Sequence, residues 1–102
     1  YSLVGNALDN ALEAVSALPR DAERYVSVRI RRNKGMAMIR VENPFSGTLD
    51  FADGLPMTTK EDARYHGFGT RSIRMIAQKY HGYMSISARD GIFRLTVILP
   101  LP

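Results

Sequence analysis

The 102-residue sequence contains no cysteine and no tryptophan. Without cysteine there is no disulfide scaffold, no thiolate metal site and no thiol nucleophile, and the redox compartment is left open. Apolar runs extend for only a few residues, far short of the ~20 that carry a helix across a bilayer, and no signal-peptide pattern is present. Like-charge runs are short, and there are no low-complexity tracts or solenoid-length repeats, which excludes a charged tail and a repeat array.

The composition is that of a folded domain, 45% hydrophobic and 24% charged, in a chain long enough for one modest core. Tyr1-Ser2-Leu3-Val4 enters an amphipathic pattern at once, without an initiating Met, so residues 1–102 are expected to form one domain of a longer chain. The net charge of +4 and pI near 9.8 would suit nucleic acid, an anionic membrane surface or a polyphosphate ligand. The basic residues are scattered (Arg29, Arg31, Arg32 and Lys34; Arg64, Arg71, Arg74 and Lys79), and no aromatic-rich nucleic-acid motif accompanies them. Charge alone selects no partner.

Periodicity supplies the organisation. Val4, Leu8, Ala11, Leu12, Val15 and Leu18 follow helical spacing over Leu3 to Leu18, and Pro19 ends the run. Tyr25 to Arg32 alternates, Asn33-Lys34-Gly35 has turn chemistry, and Met36 to Glu42 reads as the second strand of a hairpin. From Pro44 to Tyr65 no period is sustained, and a loop of ~20 residues in a small domain usually carries function. Helical spacing returns after Gly67-Phe68-Gly69 through Ile73, Ile76, Ala77 and Tyr80, with Gly82 as the expected stop. Tyr83 to Arg89 and Ile92 to Leu99 form a last hairpin about Asp90-Gly91. Two helices set between hairpins predict an α+β two-layer sandwich, a mixed or antiparallel sheet with its helices on one face.

Two features carry chemistry. On the first helix, Asn6, Asn10 and Glu13 fall in a narrow arc beside Asp9, with the apolar residues expected on the opposite side. Asn and Asp are mediocre helix formers, and carboxamides one turn apart can address one hard cation or one polar ligand. A plain solvated face accounts for the same spacing. The second feature, His66-Gly67-Phe68-Gly69-Thr70, opens the later helix, where free N–H groups and the helix dipole favour an anion. Arg71 and Arg74 add positive charge nearby, although one G-x-G is equally an ordinary loop-to-helix joint.

Together the two features carry a resemblance. Gly5-Asn6-Ala7-Leu8-Asp9-Asn10-Ala11-Leu12-Glu13-Ala14 resembles the N box of the GHKL ATPase superfamily, and His66-Gly67-Phe68-Gly69-Thr70 with Arg71-Ser72-Ile73 resembles its G2 box. That superfamily includes sensor histidine kinases, DNA gyrase B, MutL and the heat-shock chaperone ATPases. Met57-Thr58-Thr59-Lys60 and Gln78-Lys79-Tyr80-His81-Gly82 are similar to segments of the accessory-gene-regulator-type quorum-sensing histidine kinases.

The resemblance implies a Bergerat-type fold binding ATP with Mg²⁺. It makes Asn10 the Mg²⁺ ligand and turns Asn6 towards the phosphates. Gly67 and Gly69, with Phe68 between them and Thr70 after, would wrap the phosphates. Residues 44–65 would form the ATP lid, from which Lys60 or His66 reaches the phosphates. The implied reaction transfers the γ-phosphate to a histidine on the kinase's own dimerisation and phosphoacceptor domain, with a response regulator downstream. The implied location is cytoplasmic, with no nucleic-acid partner and membrane attachment only through other parts of a longer chain.

Two departures qualify the implied function. The usual Asp-x-Gly-x-Gly of the G1 box is replaced by Asn43-Pro44-Phe45-Ser46-Gly47, so Asn43 stands where an Asp reads the adenine amino group. A carboxamide oxygen can accept that bond, although as a neutral acceptor. Asp53-Gly54 is a rival source of the adenine contact. ATP-hydrolysing relatives also place a Glu one turn before the Mg²⁺ ligand, where this chain has Asn6, which accepts no proton at neutral pH. That argues for a kinase whose nucleophile lies on another domain and gives Asp9 and Glu13 supporting roles. The alternatives are a degenerate nucleotide-sensing module, a basic module contacting nucleic acid or anionic lipid, and a serine-directed kinase of the same superfamily.

Overall fold

A computed structural model describes residues 2–46, 51–52, 54–56 and 68–102. The chain runs α1 (Leu3–Ser16), β1 (Ser27–Asn33), β2 (Met36–Pro44), β3 (Phe51–Ala52), β4 (Leu55–Pro56), α2 (Phe68–Lys79), β5 (Tyr83–Arg89) and β6 (Ile92–Pro100). Four strands form one sheet in the order β1-β2-β6-β5 with every pairing antiparallel, and β3 and β4 form a separate two-stranded ribbon. The expected α+β sandwich is therefore the fold, and its sheet is antiparallel rather than mixed.

The hairpins follow from local chemistry. Lys34 and Gly35 sit at φ 49° and 78°, and Asp90 and Gly91 at φ 53° and 75°. Two successive left-handed residues match the right-handed twist of the flanking strands, which is why two residues suffice for each turn. The Phe45 N–H donates to the Gly91 carbonyl at 2.9 Å, carrying the β2–β6 pairing one step past Pro44. Asn43 thus lies inside β2, opposite Phe93, rather than in the loop after it.

One face of the sheet supplies Val41, Met84, Phe93, Leu95 and Val97 to the core; the helices supply Leu3, Ala7, Ala11, Ile73 and Ala77. Ala7 and Ala11 are small enough for α1 to lie close against both β2 and α2. The N-cap of α1 is Ser2, whose hydroxyl accepts from the Gly5 N–H at 2.9 Å. The Arg24 guanidinium holds the link to β1, donating to the carbonyls of Leu18, Arg20 and Ala22.

Three expectations are corrected. The buried stripe of α1 is Leu3, Ala7, Asn10, Ala11 and Val15, so Asn10 is on the packed side while Leu12 is 54% exposed. Some of the stretch from Pro44 to Tyr65 is regular: Pro44 ends β2, and β3 and β4 turn through Gly54 at φ 75° to bring Leu55 into the core. Two-residue strands leave no period in a sequence.

The third correction is the end of α2. The left-handed residue is His81 (φ 63°), not Gly82. The His81 N–H donates to the Gln78 carbonyl at 3.0 Å and the Gly82 N–H to the Ala77 carbonyl at 2.8 Å, which together form a Schellman closure. Gly82 is required for a different reason. A Cβ there would overlap the Ile98 carbonyl oxygen and stand 2.6 Å from Leu99 Cδ2. Adjacent positions should therefore respond oppositely in urea denaturation. Gly82→Ala is expected to cost about 2–3 kcal/mol through overpacking against β6 backbone, and His81→Gly to stabilise by up to about 1 kcal/mol by relieving the left-handed conformation.

Candidate functional site

The polar residues singled out in the sequence fall on elements that meet. Asn10 is 6% exposed on the face of α1 that packs towards β2 and α2. Asn6, one turn earlier, is half-buried. Asn43 is the last core-facing residue of β2 and 1% exposed. Thr70, in the first turn of α2, is 2% exposed. A solvated stripe of asparagines would place none of these groups inside, so burial sets aside the plain surface explanation for Asn10. Asn10, Thr70, Asp9 and Glu13 all have interaction partners.

Asn43 is different. Its Nδ2 donates to the Pro44 carbonyl at 2.9 Å, which fixes the orientation of the carboxamide. Its Oδ1 is fully buried and has no hydrogen-bond partner among the described residues. A buried acceptor without a donor costs about 1–3 kcal/mol, so its persistence calls for an explanation. A ligand that reached this oxygen with an N–H donor would supply one.

The remaining candidates divide by what the structure describes. Phe68 and Gly69 are the first two residues of α2, so the second of the paired glycines lies within the first helical turn. That turn contains no acidic residue, and exposed Arg71 follows Thr70. Lys60, His66 and Gly67 lie outside the described residues, as does Asp53, the rival for the adenine contact. Its neighbour Gly54 is an exposed turn residue. Among the described residues no three His, Cys, Asp or Glu side chains converge as a metal cage. A cation here would need carboxamide oxygen and ligand oxygens, a donor set that suits Mg²⁺.

Comparison with known proteins gives the arrangement a family. A model described as the GHKL domain matches residues 1–100. The chain belongs to the GHKL family. This GHKL domain also superposes on the Erythrobacter litoralis EL346 blue-light activated histidine kinase with a TM-score of 0.71, at 20% identity over 97% of this chain and 28% of that one. A histidine kinase domain from the same protein gives a TM-score of 0.68 at 19% identity, over 97% of this chain and 42% of that one. At such identities the likeness establishes the fold, and the GHKL domain spans less than half the length of either chain. No curated protein sequence matches it. No helix among its described residues is long and apolar enough to cross a membrane.

The sequence identified Asn43 by its place in a motif, but not that its oxygen is stranded. That depends on β2 continuing past Glu42 and on the adjacent carbonyl of Pro44 capturing the amide nitrogen. In the domain alone, Asn43→Val removes a stranded acceptor at the cost of one ordinary hydrogen bond. The variant is therefore expected to be as stable as the parent, or more stable by up to about 1 kcal/mol, in urea denaturation. A loss above about 2 kcal/mol would show that Oδ1 is already satisfied.

Proposed function

We propose that this GHKL domain binds Mg·ATP as the catalytic domain of a two-component sensor histidine kinase of the accessory-gene-regulator type. The observation that carries the reading is the stranded Oδ1 of Asn43, a fixed, buried acceptor at the position where the family's G1 carboxylate would stand. An adenine amino group satisfies it. A guanine carbonyl would meet it acceptor to acceptor.

The other roles follow from burial and element ends. Asn10 offers a carboxamide oxygen from the packed face of α1, suited to hold Mg²⁺ against the triphosphate. The start of α2, at Phe68, Gly69 and Thr70, offers the positive end of its dipole to phosphate oxygens. Asn6, Lys60, His66 and Gly67 are assigned to the phosphates on the motif alone. Mg²⁺, held by Asn10, would supply charge neutralisation at the phosphate oxygens.

The position one turn before Asn10 supplies no base, because Asn6 has no basic atom where hydrolysing relatives carry Glu. The nucleophile is then an imidazole nitrogen on a separate dimerisation and phosphoacceptor domain. Its bond to the γ-phosphorus forms as the bond to the bridging β-oxygen breaks, and ADP leaves. A response regulator receives the phosphoryl group next, and the setting is the cytoplasmic part of a longer chain. Nucleotide sensing without transfer is the second reading, favoured by the neutral Asn43 in place of an acid.

Asn10→Ala tests the site directly. Mg²⁺-dependent ATP affinity by calorimetry is expected to fall at least ~100-fold, about 2.7 kcal/mol, with the circular dichroism of the domain unchanged. Equal Mg·ATP affinity in the variant would remove Asn10 from the site. Phosphotransfer by the full-length protein separates the kinase from the sensing reading.

A further inference from the structure

Both helices lie on one face of the four-stranded sheet, and the opposite face is covered by no described element. The strand register fixes what that face presents. One row runs Ser27, Glu42, Arg94, Ser87. The next runs Arg29, Arg40, Thr96, Ser85, and the third Arg31, Met38, Ile98, Tyr83. Arg89 adds a further charge at the end of β5. The face therefore carries five arginines, no lysine and a single carboxylate.

That carboxylate is already engaged, since Glu42 Oε2 accepts from Arg94 Nη2 at 3.2 Å. Arg40 is steered by a 3.3 Å bond from its Nε to Thr96 Oγ1. Arg29 and Arg31 are exposed and form no ion pair among the described residues. Arg29 and Arg40 are direct cross-strand partners, an arrangement of like charges that weakens a sheet. Folding gains nothing from this pairing, so a partner of opposite charge is its natural complement.

We infer that this open sheet face docks an acidic segment of a partner protein. Arg29 and Arg31 project from one strand about 7 Å apart, with Arg40 about 5 Å across from Arg29. That spacing suits carboxylates on alternate residues of an extended segment, each taken by the planar fork of a guanidinium. The half-buried Met38 and Ile98 and the exposed Tyr83 then receive the segment's apolar side chains. A single-stranded nucleic acid would call for several stacking aromatics, and the face has only Tyr83. A membrane would call for a broad patch of protruding apolar residues. Met38 and Ile98 are half-buried and, of the large apolar side chains on the strands of this face, Met36 and Tyr83 alone are exposed. The surface lies on the side of the sheet away from Asn10, Asn43 and Thr70, so docking and nucleotide binding are separable.

Fluorescence anisotropy with a labelled Glu-rich peptide of about twelve residues containing two Leu tests the inference, with its Gln-for-Glu counterpart as control. The expected result is salt-sensitive binding of the acidic peptide only, weakened at least tenfold in the R29E/R31E double variant. Lys79→Glu, on α2, should leave the affinity unchanged, and excess ATP should not displace the peptide. R29E places an acid opposite Arg40, so the double variant should fold at least as well as the parent, and R29Q/R31Q should lose part of the affinity. No binding of the acidic peptide, equal binding by parent and double variant, or displacement by ATP would overturn the inference. Tighter arginine-dependent binding of a single-stranded oligonucleotide or of phosphatidylglycerol vesicles would overturn it as well.

Discussion

The close approach of α1 to the sheet is the constraint on which the rest depends. Ala7 and Ala11 make the helix narrow where it meets β2 and α2, and Asn10 is carried inside by lying on the same stripe. A larger side chain at either alanine would push α1 outward and return Asn10 to solvent. Packing and chemistry are thus linked through one helix face. The hydrophobic core sets the depth at which the buried carboxamide is held.

The sheet contributes the second fixed group. Antiparallel pairing with β6 continues to Pro44, and the Phe45 N–H adds one more bond to the Gly91 carbonyl. Asn43 is held by this ladder, and its amide nitrogen is committed to its neighbour's carbonyl. What is left is one oriented acceptor. A stranded polar atom lowers the stability of the domain alone, and the cost can be recovered when a ligand supplies the donor. The sheet's other face shows a similar economy, with arginines that repel within the domain and would be satisfied by an acidic partner.

Much of the fold was legible in the sequence. The four long strands and both helices follow from alternation, helical spacing and two turn signals, and β5 begins and ends at the residues the pattern indicates. The apolar side expected for α1 is buried at Ala11 and Val15, with Val4 packed against the core. The buried stripe is nevertheless turned away from Leu12 and towards Ala7 and Asn10, a shift that hydrophobicity alone does not indicate. The structure instead selects the small residues that allow close packing. The end of α2 was misassigned for a related reason. Gly82 is the obvious left-handed residue, yet its lack of a side chain serves contact with β6, and His81 takes the turn. The candidate site was legible through motif resemblance rather than through physics. Burial of Asn10 and Thr70 and the unpaired oxygen of Asn43 depend on tertiary packing, which local pattern does not encode.

The central claim is that α1, the end of β2 and the start of α2 address one nucleotide. An ATP titration followed by backbone and carboxamide NMR, with and without Mg²⁺, tests it most directly. The account predicts that the Asn43 side-chain amide and the Thr70 backbone amide shift together at one saturable stoichiometry, with Asn10 responding only when Mg²⁺ is present. Saturating ATP that leaves these three residues unmoved, or that shifts residues of the arginine face instead, would contradict it.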